Sequence, residues 1–206
     1  MTGVRTHRLI AGLLIVVLAA AFSGAWASAA GRTVAVAVFY APSPLATYNG
    51  LIPEQYAAAS LTSMLATASG GRVTVVPRDQ VRATEGELQW HEADALRFAR
   101  LSELAHAAGA DRVVVGWIRE LTWSTGGGGG RGSIDALGGG TGGMLIGLAD
   151  VVYQVFDATQ GRIVYETRTQ GNSVGGFVYT AAQAVLDDAG RRATAQLLGS
   201  LTSNTP

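Results

Sequence analysis

Hydrophobic and polar positions along the first half of this chain predict strand, helix, strand, helix and strand in that order. Residues 33–40 are apolar on both faces, which is typical of an interior strand that is covered on both sides. Residues 73–76 form a second short strand that Pro77 ends, and residues 112–123 form a third, rich in β-branched and aromatic side chains. This alternation favours right-handed crossovers and parallel neighbouring strands.

Helical periodicity marks the segments between and after these strands. Pro53 suits the first turn of a helix that ends at Gly70 and Gly71, and its apolar stripe is predicted as Leu61, Met64, Leu65 and Ala68. Residues 78–83 are predicted as one helical turn followed by a polar connection, and residues 88–108 as a second main helix. Residues 180–201 are predicted as the third. The inner positions of the second and third helices are Leu101, Leu104, Ala105, Ala108, Val185, Ala189, Ala193, Leu197 and Leu201.

A glycine tract and a hairpin lie between the third strand and the last helix. Residues 126–147 contain 12 glycines in 22 positions, so they have little side-chain surface to bury, and we expect a long flexible loop. Residues 151–156 and 163–168 both alternate with period two, which predicts a β-hairpin. The fold class is therefore α/β: a single domain with a mixed sheet of about five strands and three main helices.

The N-terminal 30 residues have the pattern of a secretory signal peptide. Arg5 and Arg8 precede an apolar stretch at residues 9–22, and Ala27, Ser28 and Ala29 form a small-residue exit. An uncleaved membrane anchor is the alternative, but the uninterrupted apolar stretch is shorter than the roughly 18 residues that a spanning helix needs. We expect cleavage, which leaves residues 31–206 as one exported domain.

Composition narrows the classes of partner and compartment. All 15 basic residues are arginine, and residues 31–206 contain 13 of them against 15 acidic residues, so this domain gives no reason to expect nucleic acid as a partner. The chain has no cysteine, which excludes a disulfide, a thiolate metal site and a lipidated cysteine. We predict a periplasmic protein, not lipidated, in association with the outer membrane or free of it.

No pattern of residues indicates catalysis or a bound cofactor. A nucleotide-binding P-loop needs a lysine that this chain does not have. His91, Glu92 and Asp94 lie close together and could contact a metal, but an exposed helix start explains them better. No nucleophile elbow surrounds any serine. We therefore predict a protein without catalytic, cofactor or metal sites; an enzyme that uses residues such as Asp150, Asp157 or His91 in one cleft is the alternative.

Contacts with other proteins are the remaining kind of function. Most of the aromatic residues on the predicted strands are expected in the core more than on a binding surface: Trp117, Trp123, Tyr153, Phe156 and Tyr165. The glycine tract is a disordered linker, a hairpin that orders in an oligomer, or a membrane-inserting segment. The candidate interaction residues lie in or beside this tract and near helix ends: Trp123, Arg131, Met144, Leu145, Ile146, Tyr48 and Trp90.

The order of these elements resembles the CsgG-like family, named for the curli secretion channel, and the related periplasmic domain of penicillin-binding-protein activator lipoproteins. The resemblance is in the strand at residues 33–40, the segments at 75–79 and 109–118, the glycine tract, and the turn at 157–161. It implies an α/β periplasmic scaffold. It does not extend to the lipidated cysteine or the first membrane hairpin of the curli channel, for which this chain has no counterpart.

These observations lead to three hypotheses of function. The first is a non-catalytic envelope protein that assists secretion or assembly by binding another envelope protein or itself, with the glycine tract ordering on contact. The second is an oligomeric outer-membrane pore subunit of the curli type, and the third is a periplasmic enzyme.

Overall fold

The structure, a computed structural model, describes residues 31–41, 51–126, 144–174 and 178–203. It contains five strands, four α-helices and one 3₁₀ helix among them. In chain order these are β1 (Thr33–Val36), α1 (Pro53–Ser69), β2 (Thr74–Val75), α2 (Arg78–Glu87), the 3₁₀ helix (Glu92–Leu96), α3 (Phe98–Ala108), β3 (Arg112–Gly126), β4 (Met144–Asp157), β5 (Arg162–Val174) and α4 (Val178–Thr202).

All five strands form one mixed sheet in the order β2-β1-β3-β4-β5, which confirms the predicted α/β class. β1 is parallel to both β2 and β3, whereas β4 is antiparallel to both β3 and β5. The antiparallel strands are 15, 14 and 13 residues long and β1 has only four, so three strands extend well beyond the parallel part. We call these three strands the arm.

Helices cover the sheet on two sides. On one side α1 and α4 pack against alternate residues of β1, β3 and β4, and this cluster contains the predicted inner residues of α4. On the other side α2 and α3 cover the first part of β3 and the end of β4, where Val113, Val115 and Phe156 contact the predicted inner stripe of α3. α1 and α3 both end at glycines in the left-handed conformation, Gly70 and Gly109.

Three boundaries differ from the sequence prediction. The predicted single turn at 78–83 is a ten-residue helix, and the predicted helix over 88–108 is a 3₁₀ helix followed by α3. A capping box between His91 and Asp94 starts the 3₁₀ helix and so breaks the longer one. The first strand ends at Val36, because the neighbouring strand β2 stops before Pro77. The Val38 N–H therefore has no strand partner on the β2 side, and it donates to the Glu85 carboxylate at 2.7 Å.

The hairpin is longer than predicted. β4 and β5 run beyond the expected residues at both ends, so Gly126 and residues 144–147, which we expected in the loop, belong to paired strands. Gly126 pairs with Met144, and residues 127–143 between them lie outside the described residues. Two β-bulges interrupt the arm: Arg119 is the extra residue in β3 and Val164 the extra residue in β5.

Candidate interaction surface

The arm has one side that α4 covers and one side that is largely exposed. Thr169 and Gly171 of β5 are buried under α4, whereas the alternate residues from Glu166 to Val174 are exposed. Their neighbours on β3 and β4 extend this side. We call it the open face; its members are Trp117, Thr122, Ile146, Leu148, Asp150, Val152, Gln154, Glu166, Arg168, Gln170, Asn172 and Val174.

Trp117 is the aromatic side chain of the open face. It is 36 % exposed, its ring centroid lies 6.1 Å from that of Tyr40, and the Arg119 guanidinium lies 6.0 Å from the ring. Backbone hydrogen bonds from Tyr40 N–H to Gly116 C=O and from Ile118 N–H to Tyr40 C=O hold the two rings side by side. The expectation that Trp117 belongs to the core is wrong. The apolar cluster beneath α3 ends at Val115, and Trp117, the next residue on the same side of β3, is not covered by a helix.

An ion pair lies in the middle of the open face. Asp150 is buried, and it accepts hydrogen bonds from Arg168 Nε at 2.7 Å and from Arg168 Nη2 at 2.5 Å. The hydrogen bonds that Arg168 donates to Asp150 raise the pKa of Arg168 above its ordinary value, and its guanidinium is a half-exposed positive charge. Beside it, Gln154 Nε2 donates to Glu166 Oε2 at 2.6 Å. The centre of the face is therefore polar and ordered by its own contacts.

Apolar residues are exposed at the end of the arm that leads to the glycine tract. Ile146 of β4 and Val174 of β5 are directly opposite each other in the sheet and are 43 % and 64 % exposed. With Trp117, they give the open face two apolar regions on either side of the ion pair. Exposed aromatic and aliphatic side chains of this kind are candidate anchors for another protein.

The structure places only part of the predicted interaction set. Ile146 lies on the open face, while Trp123, Met144 and Leu145 belong to the backbone of the arm, and nothing is described of their side chains. Tyr48 and Arg131 lie outside the described residues. Trp90 is half-buried against the α3 cluster, with the Arg100 guanidinium 5.7 Å from its ring. None of the candidates is tested as a contact residue, and the set remains a prediction.

Sequence analysis missed several exposed apolar residues. Leu96 and Phe98, at the junction of the 3₁₀ helix and α3, are both more than half exposed, and the Phe98 ring lies 6.0 Å from that of Phe156. The spacing of Leu96 and Phe98 fits the buried side of a helix as well as the exposed side. Which side they occupy depends on where the 3₁₀ helix ends and α3 begins, and no sequence signal fixes that position.

The residues proposed for catalysis do not converge. Asp150 pairs with Arg168, whereas Asp157, seven residues further along the same strand and so about 23 Å away, pairs with the buried Arg112 at 3.3 Å. His91 is exposed at the start of the 3₁₀ helix. Within the described ranges, no group of three or more histidine, cysteine, aspartate or glutamate side chains could hold a metal ion.

The described residues form cavities on the α4 side of the sheet, and two of them are large. One, of about 550 Å³, lies between the start of β5 and the end of α4 and includes Arg162, Tyr165 and Ser200 in its lining. The other, of about 740 Å³, lies between α1 and α4 and includes Met64 and Leu198. In the part of the chain that the structure describes, no helix is both long enough and apolar enough to span a membrane.

Known structures are similar to this chain at low sequence identity. Lipoprotein GNA1162 from Neisseria meningitidis is 14 % identical over 82 % of this chain and 99 % of that chain, with a TM-score of 0.51. The hypothetical protein CT253 from Chlamydia trachomatis is 13 % identical over 85 % and 100 %, with a TM-score of 0.52. The LpoB C-terminal domain from Salmonella enterica is 16 % identical over 68 % and 82 %, with a TM-score of 0.40.

No family model matches the sequence, and no curated protein matches it. The first two structures support the α/β fold that the resemblance implied, and one of the two proteins is a lipoprotein. The resemblance to the curli secretion channel in particular stays a prediction.

Proposed function

We propose that this chain is a non-catalytic envelope protein that assists assembly or secretion by binding another envelope protein through the open face. The observation that supports this most directly is Trp117: a large aromatic side chain, held by Tyr40 and Arg119, stands exposed on a rigid sheet. Tryptophan is among the residues that contribute most to protein interfaces. The signal-like N-terminus and the fold shared with a lipoprotein fit an envelope location.

Site-specific photo-crosslinking in cells tests this contact. A photoreactive amino acid at Thr122, which is exposed on the open face, should crosslink to an envelope protein that mass spectrometry can identify. The matched control is Ala59, which is exposed on α1 at the opposite side of the sheet. Equal crosslinking from both positions, or none from Thr122, would contradict the proposal.

Truncation of Trp117 should weaken binding to the partner identified in this way. Trp117→Ala removes the aromatic anchor, and we expect the affinity to fall about thirtyfold, the effect of a hot-spot residue worth about 2 kcal/mol. The measurement is the dissociation constant by calorimetry. Leu96→Ala, which truncates an apolar side chain of similar exposure outside the open face, should leave the affinity unchanged.

An oligomeric outer-membrane pore subunit of the curli type is the second candidate function. The feature that favours it is the long antiparallel pair β3 and β4, whose paired ends at Gly126 and Met144 lie within the glycine tract. Light scattering with and without mild detergent distinguishes the two candidates. A discrete ring-sized assembly that forms only in detergent supports the pore subunit, whereas the same small mass in both conditions supports the accessory protein.

A further inference from the structure

β5 forms an outer edge of the sheet, and the direction of its free backbone groups can be determined. The Asn172 N–H donates to the Asp188 carboxylate of α4 at 3.2 Å, so it points away from β4. Successive residues of a strand point their backbone groups to opposite sides, and the pairing of β4 with β5 is regular from Tyr165 to Val174. The N–H and C=O groups of Glu166, Arg168 and Gln170 therefore also point to the open edge.

This edge lacks the usual protection against pairing with another strand. Natural edge strands are often short, or carry charged side chains that block the approach of a second strand. β5 has 13 residues, and its two central charged side chains are held over the sheet: Arg168 is bonded to Asp150 and Glu166 to Gln154. Among the described residues, no strand pairs with this side of β5.

The charges of β5 are complementary to a second copy of the same strand. In an antiparallel pair of two β5 strands centred on Thr167, Glu166 of each copy is directly opposite Arg168 of the other. Because both residues point their backbone groups outward, they also form the hydrogen-bonded pairs of the ladder. A pair centred on either neighbouring residue would place two glutamates or two arginines opposite each other, which is unfavourable.

Both side chains can make this additional contact without giving up the ones they have. Arg168 uses Nε and Nη2 on Asp150, and Glu166 uses Oε2 on Gln154. Arg168 Nη1 and Glu166 Oε1 have no hydrogen bond within the described chain and are available to the second copy. An ion pair between a guanidinium that is already oriented and a glutamate that is already oriented loses less side-chain entropy on forming.

We propose that β5 pairs antiparallel with β5 of a second copy of this chain, centred on Thr167. The product is a two-fold symmetric dimer with one continuous sheet of ten strands, in which both copies present their open faces on the same side. The inference rests on the proposed function of binding other proteins, because a second copy of this chain becomes one of its binding partners. Self-association is measured without the envelope partner, so either proposal can fail alone.

Crosslinking through an introduced cysteine tests the register. The chain has no cysteine of its own. In the proposed pair the two Thr167 residues face each other at a non-hydrogen-bonded position, where the Cα atoms are about 4.5 Å apart, a distance that a disulfide can bridge. Thr167→Cys in the full chain should give a covalent dimer on mild oxidation. In Gln170→Cys, also on β5, the two cysteines would be about 20 Å apart and should not crosslink.

Equal crosslinking of both variants would show a different register or non-specific contact, and no crosslinking of Thr167→Cys would show that β5 does not pair with itself. Either result overturns the inference. Circular dichroism of each variant, compared with the unmodified protein, verifies that the fold is retained.

Reversal of one charge tests the complementarity. Glu166→Arg places arginines opposite each other twice in the dimer, so the dimer dissociation constant by analytical ultracentrifugation should rise about tenfold or more. Gln154→Ala removes the same Gln154–Glu166 hydrogen bond but keeps the charge, so it should raise the constant much less than Glu166→Arg does. Equal dimer dissociation constants for Glu166→Arg and the unmodified protein would overturn the inference. An intact dimer without photo-crosslinking from Thr122 would contradict the proposed function only.

Discussion

Gly171 is a residue at which α4 approaches the sheet very closely. A Cβ atom at this position would lie 1.8 Å from the backbone oxygen of Val185 and 2.8 Å from the backbone nitrogen of Ala189. Because both contacts are with the backbone of the helix, no side-chain rotation could relieve them. The glycine therefore sets the distance between α4 and β5, and with it the position of the helix that supports the arm.

Gly171→Ala should destabilise the protein by about 2–4 kcal/mol, because the methyl group forces α4 away from the arm. The free energy of unfolding in urea measures this effect. Gly199→Ala is the matched control, since Gly199 lies in α4 with nothing within 4 Å of its added Cβ atom. It should be neutral or stabilise by up to about 1 kcal/mol, the difference in helix propensity between the two residues. Equal stability of the two variants would contradict the close approach at Gly171.

Residue by residue, the predicted helical stripes agree with burial except in α1, where Leu61 and Leu65 are buried but Met64 is half-buried and Ala68 is exposed. The inner positions of α3 and α4 are all buried as predicted. Trp117 was not predictable in this way, because its β-rich neighbourhood is the same whether or not a helix reaches over it. The exposure of a strand residue depends on the length of a helix elsewhere in the chain, and local pattern does not contain that information.

At the scale of elements, α2 is attached to the sheet by a buried glutamate more than by an apolar stripe. Its buried residues are Val81, Thr84 and Glu85. The Glu85 carboxylate accepts the Val38 N–H at 2.7 Å and the Arg78 Nη2 at 2.8 Å, so a side chain of α2 occupies the place where β2 would have continued. The carboxylate thus completes the hydrogen bonding of the chain that follows β1.

Glu85→Ala should destabilise the protein by about 2–4 kcal/mol, because it leaves a backbone N–H and an arginine without their partner in a buried position. Glu85→Gln keeps an acceptor for Val38 and should lose clearly less. Urea unfolding gives the free energies, and hydrogen exchange of the Val38 amide reports the contact itself. An alanine variant as stable as the glutamine variant would show that the hydrogen bond to Val38 does not hold α2 in place.

The same helix shows why the sequence prediction stopped at one turn. A helix with one buried aliphatic residue has too few apolar positions to form a recognisable stripe, and Glu85, Gly86 and Glu87 have the composition of a loop. Longer elements such as α4 or the β4–β5 hairpin have enough repeats for the pattern to show. The open face could not be predicted either, since it results from the difference in length between the arm and the helices α2 and α3.

At the scale of the whole molecule, the buried Asp94 and the half-buried Asp188 make the free energy of unfolding depend on pH. The backbone N–H of His91 lowers the pKa of Asp94, with Arg100 and Arg97 contributing, against the effect of burial. Burial alone would raise the pKa of Asp188, but the Asn172 N–H and the neighbouring arginines outweigh it, and the pKa is lowered. Each lowered pKa stabilises the folded state while the group is ionised.

The protein should therefore be more stable at pH 7 than at pH 3. A carboxyl group with a lowered folded pKa contributes stability that is complete above its ordinary value of 3.8 and is lost as the pH falls through the folded value. Urea midpoints at the two pH values measure the loss, and Asp94→Asn with Asp188→Asn should reduce it. A midpoint that does not change between pH 7 and pH 3 would contradict this.

The two bulges of the arm decide where its length can change. Because Arg119 is an extra residue, Ile118 and Leu121 contact the same side of the sheet although they are three positions apart. Deletion of Arg119 would restore simple alternation and leave every other side chain on its present side, and the same holds for Val164 in β5. At other positions within the strands of the arm, loss of one residue would turn the remainder over. Homologous chains that differ by single-residue deletions should therefore place them at these two sites.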